Sequence, residues 1–221
     1  DKELSDPKGY GRIEYAYYLM ALDSGINMSE CRLYEENSRA HFMTKRFDRL
    51  NGGQKLHMQS LCGLAHFDFN MAGYYSYEQS LDVIREVVSE KKAEALEQQF
   101  TRAVFNIIGR NQDDHTKNIA FLMDKNGKWS LSPAFDISYS YNPTGEWTSL
   151  HQMSVNGKRT DFTLEDLLEL SKKADLKKDK ALKIIEKVTK VFEKWDDYAD
   201  RAQVFSSFKS EIKRYLRIDL R

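Results

Sequence analysis

Between Lys92 and Ile108 the residues Leu96, Phe100, Ala103, Val104, Ile107 and Ile108 fall on one face at helical spacing, and Gly109 follows as a stop. Almost at once the chain reads NQDDHTKN, Asn111 to Asn118. A helix with so apolar a face has to pack into a core, so this polar stretch leaves directly from a buried segment. Two carboxylates, an imidazole, an ammonium and amides then stand within eight residues. A surface turn can carry such a set by chance. A catalytic loop carries it because acid/base and metal chemistry need such groups to converge.

The rest of the chain frames that stretch. Arg12 to Leu22, RIEYAYYLMAL, is dense enough in apolar and aromatic residues to predict a largely buried helix, stopped at Asp23-Ser24-Gly25. CRLY and RAHFMTKRF on either side of the polar EENS predict a β-hairpin, and NGGQK at Asn51 to Lys55 a loop. Leu56 to Tyr75 shows no clear period. Tyr77 to Val88 has Leu81, Ile84, Val87 and Val88 at helical spacing, with Ser76 as its cap. Beyond NQDDHTKN, IAFLM and WSLSP flank a turn with Asn126-Gly127, a strong hairpin signal, and an irregular aromatic loop, AFDISYSYNPTGEWT, follows. From Thr163 the pattern is helical to the end, opening on a capping box of Thr163 and Asp166. The expected organisation is a catalytic core over residues 1–150 and a helical C-terminal subdomain over 151–221, with the boundary between Asn142 and Thr163, where Pro143 and Gly145 thin out the periodicity.

Composition narrows the function classes. Lysine plus arginine and aspartate plus glutamate both number 34, so the net charge is zero and no general field for nucleic acid is present. Cys31 and Cys62 have neither CxxC spacing nor a disulfide framework around them, which fits a reducing cytoplasm. No apolar run approaches the length of a membrane span. The chain starts at Asp1 without an initiator methionine and is expected to be a fragment of something longer.

In phosphoryl-transfer enzymes of the protein-kinase type, an aspartate that accepts the proton of the attacking hydroxyl is followed five positions later by a metal-binding asparagine. Asp113 and Asn118 have that spacing, and Asp136, beyond the hairpin, stands where a second aspartate would face the metal and the β- and γ-phosphates. One carboxylate, one amide oxygen and phosphate oxygens suit Mg²⁺ without a cysteine or histidine cage. Spacing alone leaves open that Asp113 and Asp114 merely turn a helix-to-strand connection and that Asp136 is a loop residue.

The run NIIGRNQDDHTKNIAFLMDKNGKWSLSPAFDIS resembles the catalytic segment of HipA-like serine/threonine kinases, and MTKRFDR (Met43 to Arg49) and SVNGKRTDFTLEDLLEL (Ser154 to Leu170) extend the likeness. The resemblance implies an α+β, mostly helical fold, the C-terminal lobe of a protein- or lipid-kinase-like protein, with short β-hairpins and a helical C-terminal subdomain. It places the catalytic aspartate on Asp113 and the metal ligands on Asn118 and Asp136. His115 and Lys117 are implied to line the phosphate side of the cleft. Lys45 and Phe47 are implied to flank an adenine and Asp48 to sit near the ribose, although Lys45 stands where relatives often have a glutamate. Asp114, one residue out of register, is expected to be a solvated turn residue rather than a spare carboxylate near the metal.

The same resemblance implies ATP and Mg²⁺ as cofactors, a protein hydroxyl as acceptor, a DNA-binding antitoxin as partner with DNA reached only through it, and a bacterial toxin-antitoxin role. No strand lysine or glycine-rich phosphate loop is convincing in this sequence. Glu14 would be the partner of such a lysine, so the nucleotide-gripping lobe is expected to lie outside the chain. Two other readings stay open: a non-catalytic module of the same fold that binds antitoxin or operator, and a metal-dependent phosphohydrolase built on NQDDHTKN with Asp136.

Overall fold

The computed structural model describes residues 8–220; the opening DKELSDP and Arg221 lie outside them. Helix α1 runs over Tyr10–Ser24 and ends where Gly25 turns to φ 87°, its N–H closing on the Ala21 and Leu22 carbonyls. The hairpin β1 (Cys31–Glu36) and β2 (Arg39–Thr44) pairs antiparallel from Cys31↔Thr44 to Glu36↔Arg39. Only Asn37 and Ser38 form its turn, both at positive φ, 49° and 61°. The backbone twist of such a two-residue turn matches that of the strands, so the ladder reaches further into the polar letters than EENS suggests.

A second sheet, in the order β3-β4-β5, joins β3 (His57–Ser60), β4 (Ala120–Met123) and β5 (Trp129–Leu131), all antiparallel. Thus β3 and the single turn α2 (Leu61–Leu64) come from the stretch without a readable period. A four-residue strand is too short to declare an alternation. Helices α3 (Tyr77–Val87) and α4 (Lys92–Ile108) follow, and α3 starts on a full capping box between Ser76 and Gln79. After the hairpin and the long loop come α5 (Leu164–Lys173), α6 (Lys178–Glu193), α7 (Trp195–Arg201) and α8 (Ser206–Tyr215). Both bonds of the Thr163/Asp166 capping box are made. The architecture is α+β and mostly helical.

One apolar core passes through residues on both sides of position 150. Tyr17 of α1 meets Phe105 of α4 at 5.9 Å, Phe192 of α6 at 5.8 Å and Trp195 of α7 at 5.8 Å between ring centroids, and Phe105 lies 4.7 Å from Phe192. All four side chains are fully buried, each worth roughly 2–3 kcal/mol in area removed from water. The Tyr17 hydroxyl donates to the Gly109 carbonyl at 2.6 Å. Gly109 itself must lack a side chain, since a Cβ there would stand 2.4 Å from the Phe192 ring. The end of α4, from which the polar loop departs, is therefore fixed by the aromatic core.

Candidate active site

After Gly109 the chain turns sharply, with Arg110 at φ 57°, and Asn111 N–H returns to the Asn106 carbonyl at 2.9 Å. The loop is then braced at two points. Asp113 N–H donates to Ser140 Oγ at 2.9 Å, while the Ser140 hydroxyl donates to Asn111 Oδ1 at 3.2 Å. The Asn118 side-chain amide donates to the Asp113 carbonyl at 3.0 Å, across a 3₁₀ turn at Thr116–Asn118. The five-residue spacing thus has a structural cause as well as a chemical one. Asn118 closes the loop that presents Asp113.

Asp136 arrives from the far side of the β4–β5 hairpin. Its segment is tethered where Arg102 of α4 donates to the Ser132 carbonyl at 2.7 Å and Ala134 N–H donates to the Asn27 carbonyl at 2.7 Å. Asp136 has φ 55°, a left-handed conformation that aspartate tolerates better than most residues. Asp136 is exposed as a residue, yet its carboxyl is in part withdrawn from water. The protein packed behind it pushes its pKa up, the Asp113 charge adds to that, and His115 and Asn118 oppose it. His115 Nε2 lies 3.7 Å from Asp113 Oδ1. Asp113, His115, Asn118 and Asp136 therefore share one cleft.

Glu14 of α1 joins them. Burial first, and then the Asp136 charge, raise its pKa to about 7. Three carboxyl groups from three segments make the cleft acidic. Among the described residues no ammonium or guanidinium pairs with Asp113 or Asp136. Nor do three His, Cys, Asp or Glu side chains among those residues come together as a metal cage. The arrangement suits a ligand that brings its own cations and oxygen donors.

The remaining expected residues are placed unevenly. Lys117 is exposed, with its ammonium 3.7 Å from the centroid of Phe69, and the same ring meets His115 edge-on at 6.3 Å. Phe47 reaches the Asp136 segment, its ring 5.6 Å from that of Phe135. Lys45 is exposed, with its backbone N–H on the Glu30 carbonyl at 2.9 Å. Asp48 is buried, held by Arg46 Nε and Nη2 at 2.8 and 2.7 Å and by Arg49. The Arg46 guanidinium keeps its carboxyl below the usual range.

Asp114 is not the solvated turn residue that the sequence suggested. It is buried, and it accepts from the Tyr77 hydroxyl at 2.7 Å, from His151 Nδ1 at 2.8 Å and from the Gln152 N–H at 2.8 Å. Asn106 donates to the Tyr77 oxygen at 2.9 Å and Asn111 to Asn106 Oδ1 at 3.0 Å, so the chain of bonds returns to the start of the loop. His151 and Gln152 lie more than thirty-five positions away in sequence, 37 and 38, and no motif points to them. Asn106 and Arg102 of α4 are not among the apolar positions that its helical spacing picks out. Both are buried.

The family profile described as "HipA-like C-terminal domain" matches residues 2–195. Among solved structures, the fold is similar to that of Shewanella oneidensis MR-1 HipA, seen with HipB and operator DNA, at a TM-score of 0.76 and 14% identity over 93% of this chain and 55% of that one. It is also similar to the Helicobacter pylori proinflammatory kinase CtkA, at a TM-score of 0.59 and 13% identity over 97% of this chain and 86% of that one. The chain thus spans about half of the HipA chain it matches. No curated protein sequence matches it.

Proposed function

This chain belongs to the family of HipA-like C-terminal domains, and from that premise we propose that it is the acceptor-side lobe of an ATP-dependent serine/threonine protein kinase. The observation that carries the reading is the convergence of Asp113, Asn118 and Asp136 in one acidic cleft, from two separately tethered segments. Asp113 is the group that orients an incoming hydroxyl and accepts its proton. Its side chain is 47% exposed, so an acceptor can reach it. The Ser140 and Asn118 bonds hold its backbone while it does so.

Asn118 and Asp136 offer the hard oxygen donors that Mg²⁺ takes, and their incomplete set fits an ion that keeps waters and shares phosphate oxygens. Bound there with ATP, Mg²⁺ would neutralise charge on the transferring phosphoryl group. Phe47, beside Phe135, is the residue of the β2 exit best placed to approach a base, and His115 the one best placed near phosphate. Lys117, held on Phe69, belongs to the rim. A DNA-binding antitoxin as partner and a toxin role are supported by the HipA complex with HipB and operator DNA, and a cytoplasmic setting goes with that reading.

The test is incubation of this chain, and separately of the whole product of its gene, with γ-labelled ATP and Mg²⁺ beside an Asp113→Asn variant. Label on protein hydroxyls that disappears in the variant is the expected result. Free phosphate as the main product would replace the reading with a metal-dependent phosphohydrolase. No turnover by either preparation would leave a binding module of the same fold.

A further inference from the structure

A pair of arginines at the opposite end of the loop has no part in the chemistry above. Arg110 is 8% exposed, its guanidinium lies 3.8 Å from the centroid of Tyr141, and its buried Nε has no hydrogen-bond partner. Arg217, beyond α8, is anchored to the same end of α4 through its N–H on the Ile108 carbonyl at 2.9 Å. Its guanidinium donates to Thr160 Oγ1 at 2.9 Å. Both guanidiniums are partly stripped of water, and the charge of Arg110 opposes that of Arg217. The carboxylate that faces them both is Asp161, whose side chain is 88% exposed and stands 3.6 Å from Arg217. Two cations, one buried and one largely so, answered by one solvated carboxylate are short of negative charge.

We propose that Thr160 is a phosphorylation site and that Arg110 and Arg217 form the clamp for its phosphate. A phosphomonoester dianion supplies the missing charge and acceptor oxygens for both forks, as paired guanidiniums prefer. Thr160 is half-buried in a loop, so its hydroxyl is reachable, yet it already touches one arm of the clamp. In the transfer, Thr160 Oγ1 bonds to the terminal phosphorus of a nucleoside triphosphate and the bond from that phosphorus to the bridging oxygen breaks. The nucleoside diphosphate leaves, and the hydroxyl proton passes to the base of the transferring enzyme. The proposal does not depend on this chain being that enzyme.

The clamp also has a route to the loop. Arg110 immediately precedes NQDDHTKN, and its carbonyl accepts from Ser140 N–H at 3.2 Å. On the other side, Arg159 bonds the His151 carbonyl through its side chain at 2.6 Å, and His151 in turn holds Asp114. A phosphate on Thr160 would therefore tie the Ser140 brace of Asp113 to the His151 support of the neighbouring Asp114. That makes it a stabilising mark on the loop.

The test uses the full chain with phosphothreonine installed genetically at position 160 and follows its ³¹P resonance with pH. The expected result is a second ionisation lowered by about one pH unit or more relative to a peptide of residues 157–163 carrying the same group, with the shift lost in Arg110→Gln and in Arg217→Gln. If Arg217→Gln does not fold, Arg110→Gln alone decides. A peptide-like titration in the otherwise unaltered chain overturns the clamp. Saturable binding of inorganic phosphate to the unmodified chain, without that lowered ionisation, would make this a free-phosphate site instead and overturn the assignment to Thr160. Mass spectrometry of the protein from its own cells should find phosphate on the Thr160 peptide. Phosphate found only elsewhere overturns the modification.

Discussion

Asp114→Ala is expected to be among the most damaging single changes in the chain, although it removes one of two adjacent aspartates in a polar run. The carboxylate accepts three hydrogen bonds, from Tyr77, His151 and Gln152, at 2.7 to 2.8 Å. Truncation leaves all three donors without their acceptor in a site where His151 is 0% and Asp114 3% exposed. A buried donor left without a partner costs roughly 1–3 kcal/mol. Some relaxation and water entry will recover part of the sum, so the expected loss is roughly 3–6 kcal/mol, a large share of a typical domain's stability. Urea unfolding followed by far-UV circular dichroism measures it. Asp114→Asn keeps the shape and one acceptor oxygen but points an amide donor at another donor, and should lose about half as much. A solvated turn residue would change stability by less than about 0.5 kcal/mol, so an Asp114→Ala loss below about 1 kcal/mol would refute the network as the scaffold of the loop.

Asp113→Asn, one position earlier and half-exposed, should leave the unfolding midpoint unchanged while removing phosphoryl transfer, a contrast that stability and labelling measurements on the two neighbouring variants would expose. Gly109→Ala should lower the melting temperature by about 3–10 °C, because its Cβ would overlap Phe192, which is fully buried against Phe105 and Tyr17 and cannot yield, an overpacking worth roughly 1–3 kcal/mol. Acid should weaken the fold through Asp166: burial alone would raise its pKa, but Lys158, Asn156 and Thr163 outweigh it and hold it at about 2. Since this is below the ordinary aspartate value, the unfolded chain binds the proton first, and the contribution, about 1–2 kcal/mol after allowing for the exposure of Lys158, is present above pH 4 and lost as pH falls through 2. Unfolding of Asp166→Asn across that window should show a flatter pH slope.

What the letters disclosed were the parts whose cause is local. The stop at Gly25, the Ser76 and Thr163 caps and the Asn126-Gly127 turn each depend on residues within a few positions, and each is found in the structure. The spacing of Asp113 and Asn118 belongs to the same class, because one side chain bonds the other's carbonyl. Strand β3 was illegible because it is short and takes its place from pairing with β4, some sixty residues on. Helix α7 does not stand out within the helical pattern that runs on from Thr163, since Lys194 interrupts the ladder without a glycine or proline to mark it. Asp114 was misread for a deeper reason. Its partners come from α3 and from residues 151–152, and a polar letter beside a catalytic aspartate looks the same whether it faces water or the core.

The placement of strain points the same way. Arg110 and Asp136 both hold left-handed backbone conformations, at φ 57° and 55°, where a glycine would be accommodated more easily. One opens the loop that bears Asp113 and the other carries the second acid, and each is fastened immediately beside the turn, by Ser140 on the Arg110 carbonyl and by Arg102 and Asn27 on the approach to Asp136. A glycine would let these turns open more freely, and their side chains would be lost to the cleft and to Tyr141. The chain retains the side chain at both places and holds the strained turns with bonds to residues from other elements. The geometry of the cleft is therefore set by tertiary contacts reaching as far as Gln152, and a loop excised with its motif intact would not be expected to hold it.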